Sequence, residues 1–280
     1  MNNIAGRTVA ITGAARGIGY ATAEALLDRG ARVVIGDRDR PALDAAVAQL
    51  SARGTVTGHP VDVTAPESFA AFLDAARGDG GRIDVLINNA GVMPVGPFLE
   101  QSDQAIRTAV EVNLYGVLTG CRLVLPEMAA RRSGHVVNIA SVAGLIPVPG
   151  QAVYAGTKFA VVGLSAALSD EFAPQGVHVS TIMPTFTNTE LIAGTHTTAA
   201  QQTVEPADVA AAVVKVLDRP TTATSVPGMM RYLAAASSVL PTGARRWLSH
   251  RLGNDRVFLD FDRTTRAGYE QRAEGSTGID

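Results

Sequence analysis

Tyr154 and Lys158 stand four residues apart in a stretch of helical composition, so their side chains project from one face. Ser141, upstream of them, closes an apolar run from His135 to Ile139 that reads as a buried strand. A phenol and an ammonium on one face, with a hydroxyl brought in from a strand end, make an acid/base. A free tyrosine has a pKa near ~10 and is a poor base at neutral pH. A neighbouring cation favours the phenolate. Lowering the pKa by about three units takes roughly 4 kcal/mol of differential stabilisation, within reach of adjacent positive charge in a partly desolvated cleft. The same Tyr-x-x-x-Lys spacing arises on helices by chance, so its meaning depends on the elements that hold it.

Those elements belong to a chain of 280 residues, 46% of them hydrophobic, enough for one large core. A net charge of -2 argues against nucleic acid as the main partner. The single cysteine, Cys121, excludes an internal disulfide and fits a reducing compartment. The N-terminus runs directly into a strand pattern without the basic-then-apolar build of a signal peptide. No uninterrupted apolar run approaches ~18 residues, so no transmembrane helix is expected. The expectation is a cytoplasmic protein.

Thr8 to Thr12 reads as a buried parallel strand, followed by Gly13, Arg16, Gly17, Ile18 and Gly19 in a glycine-rich turn and a helix from Tyr20 to Arg29. Strand, glycine turn and helix form a cradle for a pyrophosphate, with the helix N-terminus supplying unpaired N–H groups. The spacing is Gly-x-x-x-Gly-x-Gly. A second strand, Arg32 to Gly36, ends at Asp37, where an acid would bind the adenosine ribose hydroxyls and repel a 2′-phosphate. Arg16 and Arg38 are the opposing signal, since guanidinium groups there could accept that phosphate. The alternation continues with a helix from Pro41 to Arg53, a strand from Val56 to Val61 and a helix from Pro66 to Arg77. A break at Gly78–Gly81 and a strand from Ile83 to Ile87 come next. The predicted fold is a three-layer, doubly wound Rossmann-type α/β domain with a parallel sheet of six to seven strands. Gly13, Asp37, Asp62, Asn89 and Ser141 all fall at carboxyl ends of strands, where such sheets bind ligands.

Thr12-Gly-Ala-Ala-Arg-Gly-Ile-Gly19, Asn88-Asn-Ala-Gly91, Asn113, Ser141 and Tyr154-Ala-Gly-Thr-Lys158 together resemble the short-chain dehydrogenase/reductase family, in its single-domain type, over about residues 5–218. The resemblance implies an oxidoreductase using NAD, with NADP the alternative. Tyr154 would be the general acid/base, Lys158 would lower its pKa and bind the nicotinamide ribose, and Ser141 would hydrogen-bond the substrate oxygen. Asn113 would hold a water in a proton relay, or else serve as a kink residue satisfied by backbone. Asp62 would take the adenine amino group with Val63 beside the ring, and Asn89, Ala90 and Gly91 would line the cofactor cleft. Thr189 would meet the carboxamide, Thr187 stands where the family has an aliphatic residue whose backbone does so, Pro184 would bind the cofactor, and Thr185 stands where the family has glycine. The helices at about 102–130 and 151–174 are then the candidate interfaces of a homodimer or homotetramer. Asp84, His135 and His178 read as structural, and no metal-ligand spacing is present.

The chain departs from the family at its end. The expected domain spans residues 1–226, with Thr222 to Val226 as a short last strand, and residues 227–280 form an atypical helical extension packed on it. Met230 to Leu252 is basic and amphipathic, broken by Pro241-Thr242-Gly243. An amphipathic stripe usually faces protein, here the substrate cleft or a second subunit; weak attachment to anionic lipid is the alternative. Residues 190–203 read as a mobile lid, the tail from Gly253 as polar with Val257–Leu259 and Phe261 as docking residues, and Glu274–Asp280 as disordered. The substrate pocket is expected from Met93, Val95, Val142, Ala143, Leu145, Pro149, Gln151 and Phe186, nearly all apolar. That implies a hydrophobic secondary alcohol or ketone of steroid, retinoid, terpene or aryl-alkyl type. The competing readings are an NADP-dependent ketoreductase and a cofactor-binding regulator without turnover.

Overall fold

The computed structural model describes residues 3–195, 203–251, 253 and 256–274. Seven strands form one parallel sheet: β1 (Thr8–Thr12), β2 (Arg32–Asp37), β3 (Val56–Pro60), β4 (Val85–Asn88), β5 (Gly134–Ile139), β6 (Val177–Pro184) and β7 (Ala223–Val226). Their order is β3-β2-β1-β4-β5-β6-β7, so the chain reverses its direction of travel between β1 and β4. That reversal opens a crevice beyond the strand ends. The central strands are continuous apolar runs because helices cover both of their faces. On one face, α1 (Gly17–Leu27), α2 (Arg40–Leu50) and α7 (Pro206–Asp218) contribute Leu26, Leu43 and Val213 to a shared core. On the other, α3 (Pro66–Gly80), α5 (Gly116–Ala130) and α6 (Ala152–Phe172) contribute Phe69, Val124 and Val161.

Several boundaries differ from expectation for local reasons. The first helix begins at Gly17, three residues before Tyr20, so the glycine turn itself opens it. The fourth strand begins at Val85 because the Asp84 carboxylate accepts the Thr8 N–H at 3.0 Å and pairs with Arg82. The helix expected over 102–130 is three pieces: α4 (Asp103–Val110), a π-helical turn (Glu111–Tyr115) and α5. The segment 152–175 is, by length and composition alone, long and apolar enough to cross a membrane, although polar residues interrupt its apolar run. It contains α6, which carries Tyr154 and Lys158 and packs on β6.

Beyond β7 the extension forms α8 (Met230–Ser238), α9 (Thr242–Arg251) and α10 (Arg263–Glu274). The last of these lies in the polar tail from Gly253. Val257 and Phe258, just before it, share a small core with Met93, Val95, Ala143 and Tyr154. Two glycines make this close approach possible. Gly150 and Gly194 have φ of +82° and +72°, and a Cβ on them would lie 2.7 Å from the Phe258 backbone and 2.6 Å from the Asp262 carbonyl oxygen. Leu252, residues 196–202 of the expected lid and residues 275–280 of the expected disordered end lie outside the described residues. The described start of the lid is pinned rather than loose. Glu190–Ile192 forms a 3-10 turn, and the Arg266 guanidinium donates to the carbonyls of Leu191 and Ala193 at 3.1 and 3.0 Å.

Candidate active site

A continuous cavity of about 2030 Å³ lies along the carboxyl ends of the strands, from Asp37 on β2 to α8 and α9. At its first end the glycine turn forms the floor. Gly13 has φ +64°, and a Cβ there would lie 2.7 Å from Ala90 Cα; one on Gly19 would lie 2.5 Å from the Gly13 carbonyl oxygen. Both positions therefore require glycine. Asn89 locks the turn from β4, its amide donating to the carbonyls of Thr12 and Gly13 at 3.0 and 2.7 Å. The Thr12 hydroxyl accepts the N–H groups of Asn89 and Ala90. The result is a glycine floor that lets backbone approach a pyrophosphate closely, with Thr189 opposite Gly17.

Asp37 stands beyond this turn, one carboxylate oxygen accepting the Ala15 N–H and the other the Asp39 N–H, both at 3.1 Å. Arg16 does not stand open to a phosphate. It hydrogen-bonds Asp39 and lies 3.6 Å from Glu190. Burial works against its charge, but Asp39, Glu190 and Asp37 more than offset that and hold its pKa above the ordinary value. Sequence reasoning missed Asp39 and Glu190. The available signal for Asp39 was its place before Pro41, where it caps α2 by accepting the Ala42 N–H. Asp62 and Val63 line the cavity beside Arg38, with one Asp62 oxygen held by Thr64.

Midway, Ser141, Tyr154 and Lys158 converge on the same cavity. Ser141 accepts the Ala143 N–H at 3.1 Å, which starts the 3-10 turn Val142–Gly144, and its hydroxyl donates to the Pro184 carbonyl at 3.4 Å. Lys158 is buried. Its ammonium donates to the Ile139 carbonyl at 3.0 Å and sits 5.6 Å from the Tyr154 ring centre. Burial pushes the Lys158 pKa down to about 8. Burial pushes the Tyr154 phenol up to about 12, Ser141 works in the opposite direction, and Tyr269 adds to the rise. The Lys158 ammonium is directed at the Ile139 carbonyl and over the ring rather than at the phenol hydroxyl.

Asn113 does not reach the cavity. It lies in the π-helical turn, fully buried, and exchanges two 2.8 Å hydrogen bonds with the Val92 backbone. Its amide also donates to Thr157 on α6 at 3.2 Å. Its side chain is thus satisfied by the Val92 backbone and by Thr157 at the kink. A second buried chain went unread in the sequence: Asn88 on β4 donates to Asn138 on β5, which donates to Ser165 on α6, each at 2.9 Å. These two networks fix the helix that carries Tyr154 and Lys158.

At the far end Met93, Val142, Ala143, Pro149, Gln151 and Phe186 line the cavity. Val95 and Leu145 do not. Val95 turns into a separate small pocket, and Leu145 packs into the core behind the 3-10 turn. Leu233, Leu240 and Leu248 from the extension complete the apolar wall. Pro184, Thr187 and Thr189 lie between the two ends. Thr185 needs no glycine-like backbone and instead donates its N–H to the Val226 carbonyl at 3.0 Å. Two residues of the extension went unpredicted. Tyr269 lines the cavity beside Tyr154, and Arg266 is wholly buried, hydrogen-bonded to the Met93 carbonyl.

A sequence profile described as short chain dehydrogenase matches residues 7–200. An uncharacterized oxidoreductase of Staphylococcus saprophyticus is 43% identical over 68% of this chain and 78% of its own. The D-threitol dehydrogenase of Mycolicibacterium smegmatis is 38% identical over 66% of this chain and 72% of its own. Among solved structures, a short chain dehydrogenase/reductase from Burkholderia phymatum in complex with NAD superposes with a TM-score of 0.75. It shares 29% identity and covers 82% of this chain and 92% of that one.

Proposed function

The chain belongs to the short-chain dehydrogenase family of oxidoreductases, and on that premise we propose that it transfers hydride between NAD(H) and a hydrophobic secondary alcohol or ketone. The observation that carries this reading is the continuity of the cavity. The glycine floor, the Ser141–Tyr154 pair and the apolar wall of Phe186, Met93 and Leu233 all open on one space. Asp37 at the ribose end, with Arg16 already engaged by Asp39 and Glu190, supports NAD over NADP. The nicotinamide, when bound, accepts or supplies the hydride. Tyr154 takes the alcohol proton in oxidation and returns it in reduction, and Ser141 orients the substrate oxygen against it. Lys158 adds positive charge beside the phenol when it is protonated.

The far end of the cavity offers mainly apolar surface, with Arg245 and Arg246 at its rim, which fits a steroid, retinoid, terpene or aryl-alkyl substrate better than a small polyol. The family match ends at residue 200, and the helices that close this end lie beyond it. We infer a cytoplasmic protein and a homodimer or homotetramer with contacts through α4–α5 and α6. The test is formation of NADH by the purified protein with secondary alcohols graded from polyols to steroids. Turnover should rise with lipophilicity and vanish in Tyr154→Phe while NADH still binds. Preference for a small polyol would overturn the substrate class. Turnover with NADP alone would overturn the role given to Asp37, and tight NADH binding with no turnover would make the protein a regulator.

A further inference from the structure

The helices α8 and α9 carry a face that no part of the described chain covers. Tyr232, Val239 and Trp247 are 63%, 81% and 64% exposed, and α9 contains no buried residue at all. Leu233, Leu240 and Leu248 are partly exposed and also line the cavity, so they form its rim. The charges are one-sided. Arg231, Arg245, Arg246 and Arg251 lie on these two helices, and residues 219–254 contain no Asp or Glu, in a chain whose net charge is -2. Arg245 and Arg246 stand at the rim with the leucines. The guanidinium groups of Arg231 and Arg251 lie over the rings of Tyr232 and Trp247. Exposed apolar side chains, ring–guanidinium pairs and four arginines with no acid on two successive helices match the layered chemistry of an anionic bilayer interface. Tyrosine and tryptophan settle at that depth because each joins an apolar body to a polar edge.

We propose that the α8–α9 face docks on the surface of an anionic phospholipid bilayer and sets the rim of the cavity against the acyl layer. The docking itself is independent of the reaction. Its consequence, direct entry of a membrane-dissolved substrate past Leu233, Leu240 and Leu248, rests on the hydrophobic substrate class proposed above. A second copy of the chain on the same face would show acid groups opposite these arginines in an oligomer, and that outcome is included in the test.

The experiment uses the full-length protein with vesicles of pure phosphatidylcholine and of equimolar phosphatidylcholine and phosphatidylglycerol, at low and high salt. Trp247 is the chain's sole tryptophan, so its fluorescence reports this face directly. Binding to the mixed vesicles only, weakened by salt, with a blue shift and quenching by brominated acyl chains, is the expected result. Arg245→Glu/Arg246→Glu should lower the bound fraction by about tenfold or more, and Val239→Asp should abolish the blue shift while leaving thermal unfolding unchanged. Absence of binding to either vesicle overturns the proposal, as does binding without a change at Trp247. Sedimentation velocity that shows an oligomer dispersed by Val239→Asp assigns the face to a second subunit and overturns it too. None of these readouts uses cofactor or substrate, so their failure leaves the oxidoreductase reading intact.

Discussion

The Tyr269 phenol oxygen accepts the Met93 backbone N–H at 2.7 Å, joining the last helix to the loop beside Tyr154. One turn earlier on α10, Arg266 takes the Met93 carbonyl, so both backbone groups of one cavity-lining residue are held by the extension. Arg266 also holds Leu191 and Ala193, on the far side of the cavity entrance. Tyr269→Phe removes one buried hydrogen bond and should cost about 1 kcal/mol of stability. Arg266→Met leaves several buried carbonyls unpaired and should cost roughly 3 kcal/mol, with a raised KM. Urea unfolding measures both, and equal, negligible losses would show that the extension does not brace these loops.

The burial of Lys158 sets a dependence of stability on alkaline pH. Its folded pKa is about 8 against an ordinary 10.5, so between those values the unfolded chain binds the extra proton. Folding stability then rises as pH rises through that window. Tyr154 acts oppositely above its ordinary value of 10.0, where the folded phenol, at about 12, keeps a proton that the unfolded chain has released. Cofactor-free protein should gain stability from pH 8 to about 10 and lose it above. Lys158→Met should remove the gain; an unchanged slope would refute the burial argument.

His135 gives the acid limb. It lies buried on β5 with Nε2 2.8 Å from the Ser180 hydroxyl, and burial, with repulsion from His178 and Arg7, holds its pKa down at about 3. The unfolded chain takes up a proton below the ordinary 6.5, so stability present above that value is lost as pH falls towards 3. The loss should reach about 3 kcal/mol at pH 4. His135→Phe should flatten this limb of the unfolding curve while lowering stability at neutral pH, since Ser180 loses a partner.

Coenzyme preference should turn on Asp39 as well as Asp37. Asp39→Ala releases Arg16 from its hydrogen bond and, with it, some of the negative charge at the ribose end. We expect the ratio of NADP to NAD affinity to rise about tenfold in Asp39→Ala and further in Asp37→Ala. Titration of both coenzymes against each variant measures this, and a ratio unmoved in Asp39→Ala would mean that Arg16 takes no part.

The strands and the glycine turn were legible because burial on both faces leaves continuous apolar runs, as at Val9–Ile11 and Val85–Ile87. Tyr154, Lys158 and Ser141 were legible from their spacing. Arg266 and Tyr269 were not, since their partners are backbone groups at Met93, Leu191 and Ala193, which no side-chain pattern announces. The directions of Val95 and Leu145 depend on loop geometry in the same way. Arg16 was visible, but its engagement by Asp39 and Glu190 arises only when three loops meet.

Gly150 and Gly194 give the closing segment its consequence. Each is a notch, cut into the body of the enzyme, that backbone from residues 258–262 fills. Tail and body are therefore keyed to one another like a lock wafer and its slot. A different ending grafted after β7 would leave both notches empty, and a side chain at either would push this ending from its seat. Divergence of substrate choice in such a chain has to proceed by paired changes, one on each side of the seam.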